Sequence, residues 1–413
     1  MMTLPLIITI CVLILIAYAF DITSRHTKIP TIIFLLLLGW GVKKLTEVFN
    51  LNLIDLGPLL PVFGTIGLIL IVLEGGLDLE INKQKKKLIK KAVWSALLPL
   101  AALCLFIGIA IHLLNKSSLM DSLINAVPFC IISSAIAIPS VQNLNNKLKE
   151  MVIYESSMSD ILGVILFNFL IRSEVIEASS FLIFGLQIFV MLIISLVASM
   201  GLAFLIKKID HQVKLIPIMM MVVLIYSVAK AYHLPALLFI LIFGLFLNNL
   251  DEFKNISFIR QLEPKKLDIE VHRFSRLVAE TAFLIRTIFF ILFGYTITVE
   301  KLFNLSTLSY AFLIVVLILV VRFVQIKISR LKINPILFIA PRGLITIMLF
   351  ISIPLKDRIA FVSESLVLQV IILSILVMML GLMFHRPSKQ MTVESSSEPG
   401  SLSFRKETNF NAL

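Results

Sequence analysis

The chain has 413 residues, of which 59% are hydrophobic and 15% charged, with a mean hydropathy of +1.02 and a formal net charge of +12. Soluble globular domains hold about 25% charged residues, so this balance excludes them and makes the bilayer the main solvent. The positive charge does not indicate nucleic acid as a partner, because in a membrane protein the placement of Lys and Arg in the loops gives it its meaning.

A helical crossing of the hydrocarbon core takes about 20 mostly apolar residues. On that measure the sequence predicts an all-α polytopic membrane protein of about thirteen transmembrane helices. They fall at 3–20, 30–45, 60–77, 91–114, 124–143, 152–171, 180–206, 215–232, 234–249, 277–297, 305–328, 335–354 and 363–384. The first run has no basic segment before it and no small-residue cleavage site before the charged loop at Asp21 to Lys28, so it reads as a true helix. Cys11, Cys104 and Cys130 sit inside apolar runs without metal-ligand spacing and read as packing residues.

With the N-terminus outside, the odd-numbered connections are cytoplasmic and carry the basic residues. These are Arg25 and Lys28, the run Lys83 to Lys91, Lys147 and Lys149, Lys207, Lys208 and Lys214, then Lys254 to Arg276, Lys327 to Lys332, and Arg386 with Lys389. The bias predicts an outside N-terminus and a cytoplasmic C-terminus.

The second span reads Pro30 to Phe34 to Gly39 and the ninth Pro235 to Phe239 to Gly244, in register and, by this topology, in opposite directions. Leu73-Glu74-Gly75 leads to Glu80 much as Leu292-Phe293-Gly294 leads to Glu300. Two halves of inverted topology follow, a pattern that points to alternating access.

An ionisable side chain deep in a span is costly unless it is paired or faces water, so such residues are functional candidates. In the sixth span Asp160 lies about eight residues, or roughly 12 Å, from the cytoplasmic end. Ser156, four residues earlier, shares its helical face and offers an oxygen ligand. Glu155 points elsewhere and either snorkels to the interface or pairs with Arg322, which stands at matching depth in the eleventh span. Arg286 and Arg342 also fall near mid-depth, and one of them is a candidate to balance Asp160 when no cation is bound. Glu74 and Asp78 read as a solvated helix end. Ser133-Ser134 to Pro139-Ser140 in the fifth span and Ala340-Pro341-Arg342-Gly343 in the twelfth each put proline and small residues inside an apolar run. Each is either a plain kink or a helix broken near the midplane.

Glu155-Ser156-Ser157-Met158-Ser159-Asp160 resembles the Glu-Ser-x-x-Asn-Asp signature of electroneutral exchangers, and nearly all of residues 1–385 resembles the monovalent cation/proton antiporter superfamily, the sodium/hydrogen exchangers. The resemblance implies that Asp160 binds the transported Na+ or K+ and carries the proton. Ser156, and Ser134 at the break, are implied as auxiliary ligands, and Glu155 as a structural acid paired with Arg322. It further implies a mobile core at about 91–171 and 305–384, scaffold helices that form a homodimer, and a plasma (inner) membrane location in a bacterium. Asp160-Ile-Leu-Gly163 is also similar to the Kef-type potassium branch.

Two departures qualify it. Ser159 stands where electrogenic members have a second Asp, which implies electroneutral exchange. Ala135-Ile136-Ala137 stands where many exchangers have Thr-Asp-Pro, which puts Na+ selectivity in doubt. The polar tail at 386–413 has no nucleotide-binding fingerprint, and the chain shows no nucleophile, metal-ligand cluster or phosphate loop, so neither an enzyme nor a cofactor is expected. Competing readings are a potassium/proton efflux system, an organic-anion symporter of similar fold, and a sensor that has lost transport.

Overall fold

The computed structural model describes residues 3–27, 30–49, 58–81, 85–142, 144–172, 178–209, 211, 214–232, 234–253, 264–297 and 302–384. Lys28, Lys83, Lys254, Arg260, Glu300 and the polar tail at 386–413 lie outside the described residues.

Among the described residues all regular structure is helical: α1 Thr3–Thr27, α2 Thr31–Val48, α3 Leu59–Asp78, α4 Lys86–Asn115, α5 Leu119–Ala126, α6 Ser134–Ser140 and α7 Asn146–Arg172. Then come α8 Ala178–Lys208, α9 Leu215–Ala231, α10 Ala236–Asn248, α11 Pro264–Thr296, α12 Leu305–Ile328, α13 Leu344–Ser352 and α14 Glu364–Phe384. Counting α5 with α6 as one interrupted span gives thirteen, and eight of the segments are long and apolar enough to cross a bilayer unaided. Local chemistry fixes several ends. The Ser118 hydroxyl accepts from the Asp121 N–H at 3.0 Å to start α5, and Asn304 accepts from the Ser306 N–H at 3.1 Å to start α12.

Several spans differ from the sequence reading; α4, α5 and α7 each start five or six residues earlier, and three others differ as follows. α1 does not stop at residue 20 but runs through Asp21, whose carboxylate accepts from the Thr31 hydroxyl at 3.3 Å. α11 starts at Pro264, well before 277, because its first turns are amphipathic and not apolar, so an apolar window ends where the helix does not. Glu270 there binds Arg273 at 3.0 Å and Lys214 at 3.2 Å. In the predicted span 335–354, regular helix is confined to α13, and the chain before it is turns and extended backbone.

The two proposed repeats pack crosswise. α2 lies against α11 and α3 against α10, and each contact is closed by a pair of glycines. A Cβ on Gly39 would fall 3.0 Å from the Cα of Gly294, and one on Gly244 would fall 2.9 Å from the Cα of Gly76. Gly39 and Gly244 are the repeat-matched positions, so the two contacts are equivalent under the inverted repeat. The C-terminal ends agree: Lys43 donates to the Ile297 carbonyl at 3.4 Å at the ends of α2 and α11, and Asn249 donates to the Leu79 carbonyl at 2.9 Å beyond α10 and α3.

A second group forms around α4 and α7, with α5, α6, α12, α13 and α14. Lys85 links the two groups at one end, pairing with Glu80 at 2.7 Å and Glu150 at 3.0 Å, while the Tyr154 hydroxyl donates to the Glu80 carbonyl at 2.6 Å. The hydrogen bond to Glu80, helped by Glu150, holds the Lys85 ammonium above its usual pKa, so the cation's side of the tie persists at neutral pH and is lost as rising pH passes through that raised value.

The glycine contacts give a contrast. Gly294→Ala pushes a methyl into the Leu36 backbone and is expected to cost about 1–3 kcal/mol, read as a lower unfolding temperature in detergent. Gly41→Ala, with nothing within 4 Å of the new Cβ, is expected to leave that temperature equal or higher.

Candidate ion-binding site

Two interrupted segments cross at the centre of the second group. The first breaks at 130–133, between the short 3-10 turn Val127–Phe129 and α6; the second breaks at 340–343, before α13. Helix breaks free backbone groups that a bilayer interior cannot satisfy, and here each break supplies the other. The Ser133 N–H donates to the Pro341 carbonyl at 2.9 Å, and Arg342 Nε donates to the Phe129 carbonyl at 2.7 Å. The approach needs Gly343, because a Cβ there would meet the Ser133 hydroxyl at 2.9 Å and the Ile136 side chain. The Gly343 N–H is taken up by the Thr346 hydroxyl at 3.3 Å.

α7 passes beside this crossing and presents Asp160, 2% exposed. Its Oδ2 accepts from the Ser134 hydroxyl and from the Ser134 N–H, the latter at 3.3 Å, at the first turn of α6. Its Oδ1 has no hydrogen-bond partner among the described residues, and neither does the buried Ser133 hydroxyl. Ser159, one residue before, accepts from the Ile132 N–H at 2.9 Å and so pins the first break to α7. The Ser156 hydroxyl donates back to the Val152 carbonyl at 2.8 Å and makes no hydrogen bond to Asp160.

A buried network lies one turn away. Arg322 donates to both oxygens of Glu155, at 2.9 and 3.0 Å, and through Nε to the Ile336 carbonyl at 2.9 Å. The Ser95 hydroxyl donates to Glu155 Oε1 at 2.6 Å and accepts from Gln325 Nε2 at 2.6 Å. With both members buried, the fork geometry and the further donors are what offset the cost of desolvating two charges.

The other two arginines sit at different distances from the crossing. Arg342, 1% exposed, donates to the Phe129 carbonyl, which ends the 3-10 turn, and at 3.3 Å to the Ala340 carbonyl in the second break. Arg286, on α11, donates to the Ala135 carbonyl at 3.5 Å. That carbonyl is open because its helical partner four residues on is Pro139, which has no N–H.

The sodium/hydrogen exchanger transmembrane model matches residues 11–390. The chain belongs to the sodium/hydrogen exchanger family. It is therefore an integral membrane transporter of the cation/proton antiport class. No curated protein sequence matches it. Among solved structures it is similar to the sodium proton antiporter MjNhaP1 from Methanocaldococcus jannaschii at pH 8, with a TM-score of 0.66 and 17% identity over 91% of this chain and 95% of that one. It is similar also to the electron-microscopy map of MjNhaP1 from that organism, with a TM-score of 0.66 and 18% identity over 93% and 95% of the two chains.

Of the residues singled out in the sequence, the exchanger's fold brings Asp160 to Ser134 and Glu155 to Arg322, and puts Arg342 and Gly343 at the crossing. Pro139 is not the helix break; the break falls earlier, and Pro139 sits near the end of α6, where the missing N–H costs one carbonyl. The register of the departure also changes. α6 begins at Ser134, so the residues leaving the break are Ser133 and Ser134, and Ala135 to Ala137 lie inside the helix. Ser133, Ser95 and Gln325 were not singled out as ligands or partners. A lone serine in an apolar run is a weak signal, although Gln325, three residues after Arg322 on one helical face, could have been found by spacing.

Removing one partner of a buried pair leaves the other charge stranded, so Arg322→Leu is expected to destabilise the exchanger by about 3–5 kcal/mol. Glu155→Leu combined with Arg322→Leu is expected to recover much of that loss, both read by thermal unfolding in detergent.

Proposed function

We propose that the exchanger trades one proton for one Na+ or K+ at Asp160 by alternating access. The observation that carries this is the buried carboxylate whose Oδ1 is unpartnered, beside the unpartnered Ser133 hydroxyl and the Ser134 hydroxyl. A proton and a partly dehydrated cation each neutralise the same carboxylate, so they compete for it, and that competition couples the two flows. Oxygen ligands suit a hard monovalent cation, and a set with one carboxylate holds it loosely enough to release it. Among the described residues no three His, Cys, Asp or Glu side chains gather as a resident metal site.

Exchange is electroneutral on this reading, because Ser159 offers no second carboxylate and is engaged with the Ile132 N–H. Ser134 and Ser133 supply auxiliary oxygens, with Ser156 contributing through its lone pairs. Glu155 and Arg322 hold α7 and α12 together as a structural pair. The group around 91–171 and 305–384 moves against the glycine-closed frame, which serves as scaffold for a homodimer in a bacterial inner membrane, with the N-terminus outside and the C-terminus cytoplasmic.

The test is cation-induced dequenching of a pH-sensitive dye in proteoliposomes, with Na+, K+ and Li+ added in turn. Native protein is expected to collapse the proton gradient, and the order of the cations names the substrate. Asp160→Asn is expected to abolish the response. No response from native protein with any cation would overturn autonomous antiport. Ser134→Ala is expected to raise the apparent KM for the cation several-fold, more than Ser156→Ala does.

A further inference from the structure

Arg286 stands on α11, in the glycine-closed frame, yet its Nη1 donates to the Ala135 carbonyl of α6, in the second group. At 3.5 Å the bond is long, and its acceptor is next in sequence to Ser134, which holds Asp160. The tie therefore runs from the frame to the turn that carries the partner of Asp160. The frame also holds a carboxylate of its own near Arg286. The Phe289 side chain meets Gly64 and the Ile285 side chain meets Gly67, so α3 and α11 run antiparallel, and Glu74 lies about two helical turns along α3 from the level of Arg286. A helical side chain leans toward the N-terminus of its own helix, so in this pair Arg286 and Glu74 lean toward one another. Arg286 is close enough for its charge to act on Glu74, and Glu74 is half-buried with no hydrogen bond or ion pair among the described residues. Asp78, a turn further on, is exposed and feels Lys149 instead.

An arginine in a membrane interior must keep an acceptor. When the second group moves against the frame, as proposed above, the Ala135 carbonyl is carried away from α11. Glu74 is not, because α3 and α11 are packed together in one group. The two acceptors thus differ in what they travel with, and a carboxylate is the stronger of the two for a guanidinium.

We propose that Arg286 is a two-position switch, which holds the Ala135 carbonyl in the present arrangement and the Glu74 carboxylate once the core has moved. It has an acceptor in both states, and neither state strands its charge. Arg286 is a positioning residue, since it makes no hydrogen bond to Asp160. Pro139 takes part by withholding the N–H that would otherwise occupy the Ala135 carbonyl. The switch rests on the moving-core reading and not on Asp160 as the carrier.

A cross-link reads the position of the core. A Cβ on Gly75 of α3 would lie 3.8 Å from the Cβ of Ser157 on α7, and disulfides join Cβ atoms about 3.8 Å apart. With Cys11, Cys104 and Cys130 replaced by serine, Gly75→Cys with Ser157→Cys is expected to form a disulfide under copper phenanthroline, fastest in the present arrangement. Glu74→Gln removes the second acceptor and is expected to speed oxidation several-fold. Pro139→Ala returns an N–H to the Ala135 carbonyl, competes with Arg286 and is expected to slow oxidation several-fold. With Arg286→Gln present, neither substitution is expected to change the rate. Equal rates in all these proteins, or shifts that persist without Arg286, overturn the switch. The disulfide is also expected to stop cation-induced dequenching, and its reduction to restore it; antiport that continues through the cross-link overturns the moving-core reading instead. If the paired cysteines prevent folding, turnover decides. Glu74→Gln is expected to lower kcat several-fold in native protein and to change it little beside Arg286→Gln, whereas an equal loss in both overturns the switch.

Discussion

Two helices interrupted inside a bilayer leave backbone N–H and C=O groups that lipid cannot satisfy, and the way this chain satisfies them determines the rest of its centre. The breaks at 130–133 and 340–343 are placed where each can serve the other, through Ser133 to Pro341 and Arg342 to Phe129. Because the two segments must touch, residue 343 has no room for a side chain. The arginine that serves the Phe129 and Ala340 carbonyls must also be buried, which brings a full positive charge to the middle of the protein. Asp160 lies beside the same crossing, held by the Ser134 hydroxyl and N–H at the first turn of α6.

The polar network around Glu155 has a different task. It joins α4, α7 and α12 through Ser95, Glu155, Arg322 and Gln325, and it holds the helix bearing Asp160 against the segment that follows α12 through the Ile336 carbonyl. On the mechanism proposed above, a site that alternates between two sides must move as a unit or lose its geometry on the way. Buried ionic ties with several hydrogen bonds are costly to form but resist gradual deformation, which suits a part that travels without changing shape.

Much of this was legible in the sequence, for physical reasons. The spans were readable because lipid demands continuous apolar runs, and the exceptions follow from the same rule: α11 runs into water at its start, where apolarity is no guide, and the span at 335–354 is mostly not helix. Asp160, Glu155 and Arg322 stood out because charge is expensive at depth. What could not be read was which carbonyl each arginine serves and where each helix stops. Pro139 looked like the break, yet the loss of one N–H near a helix end is cheaply absorbed, whereas the real break is set by the tertiary partners of the Ile132 and Ser133 N–H groups, Ser159 and the Pro341 carbonyl, that no local pattern announces. The role of Ser133 was hidden for the same reason.

The crosswise glycine contacts carry a consequence for biogenesis. α2 and α3 find their close-packed partners in α11 and α10, and the bond from Lys43 to Ile297 closes a loop of 254 residues. Emerging from the ribosome, the early helices must therefore wait in the membrane, with the backbone grooves at Gly39 and Gly76 uncovered, until more than half the chain has been made. Neither half is a folding unit by itself, since each keeps the surface the other needs. Such late closure favours slow assembly and exposes the waiting helices to quality control, so mutations at those glycines should act on how much protein reaches the membrane before they act on how fast it transports.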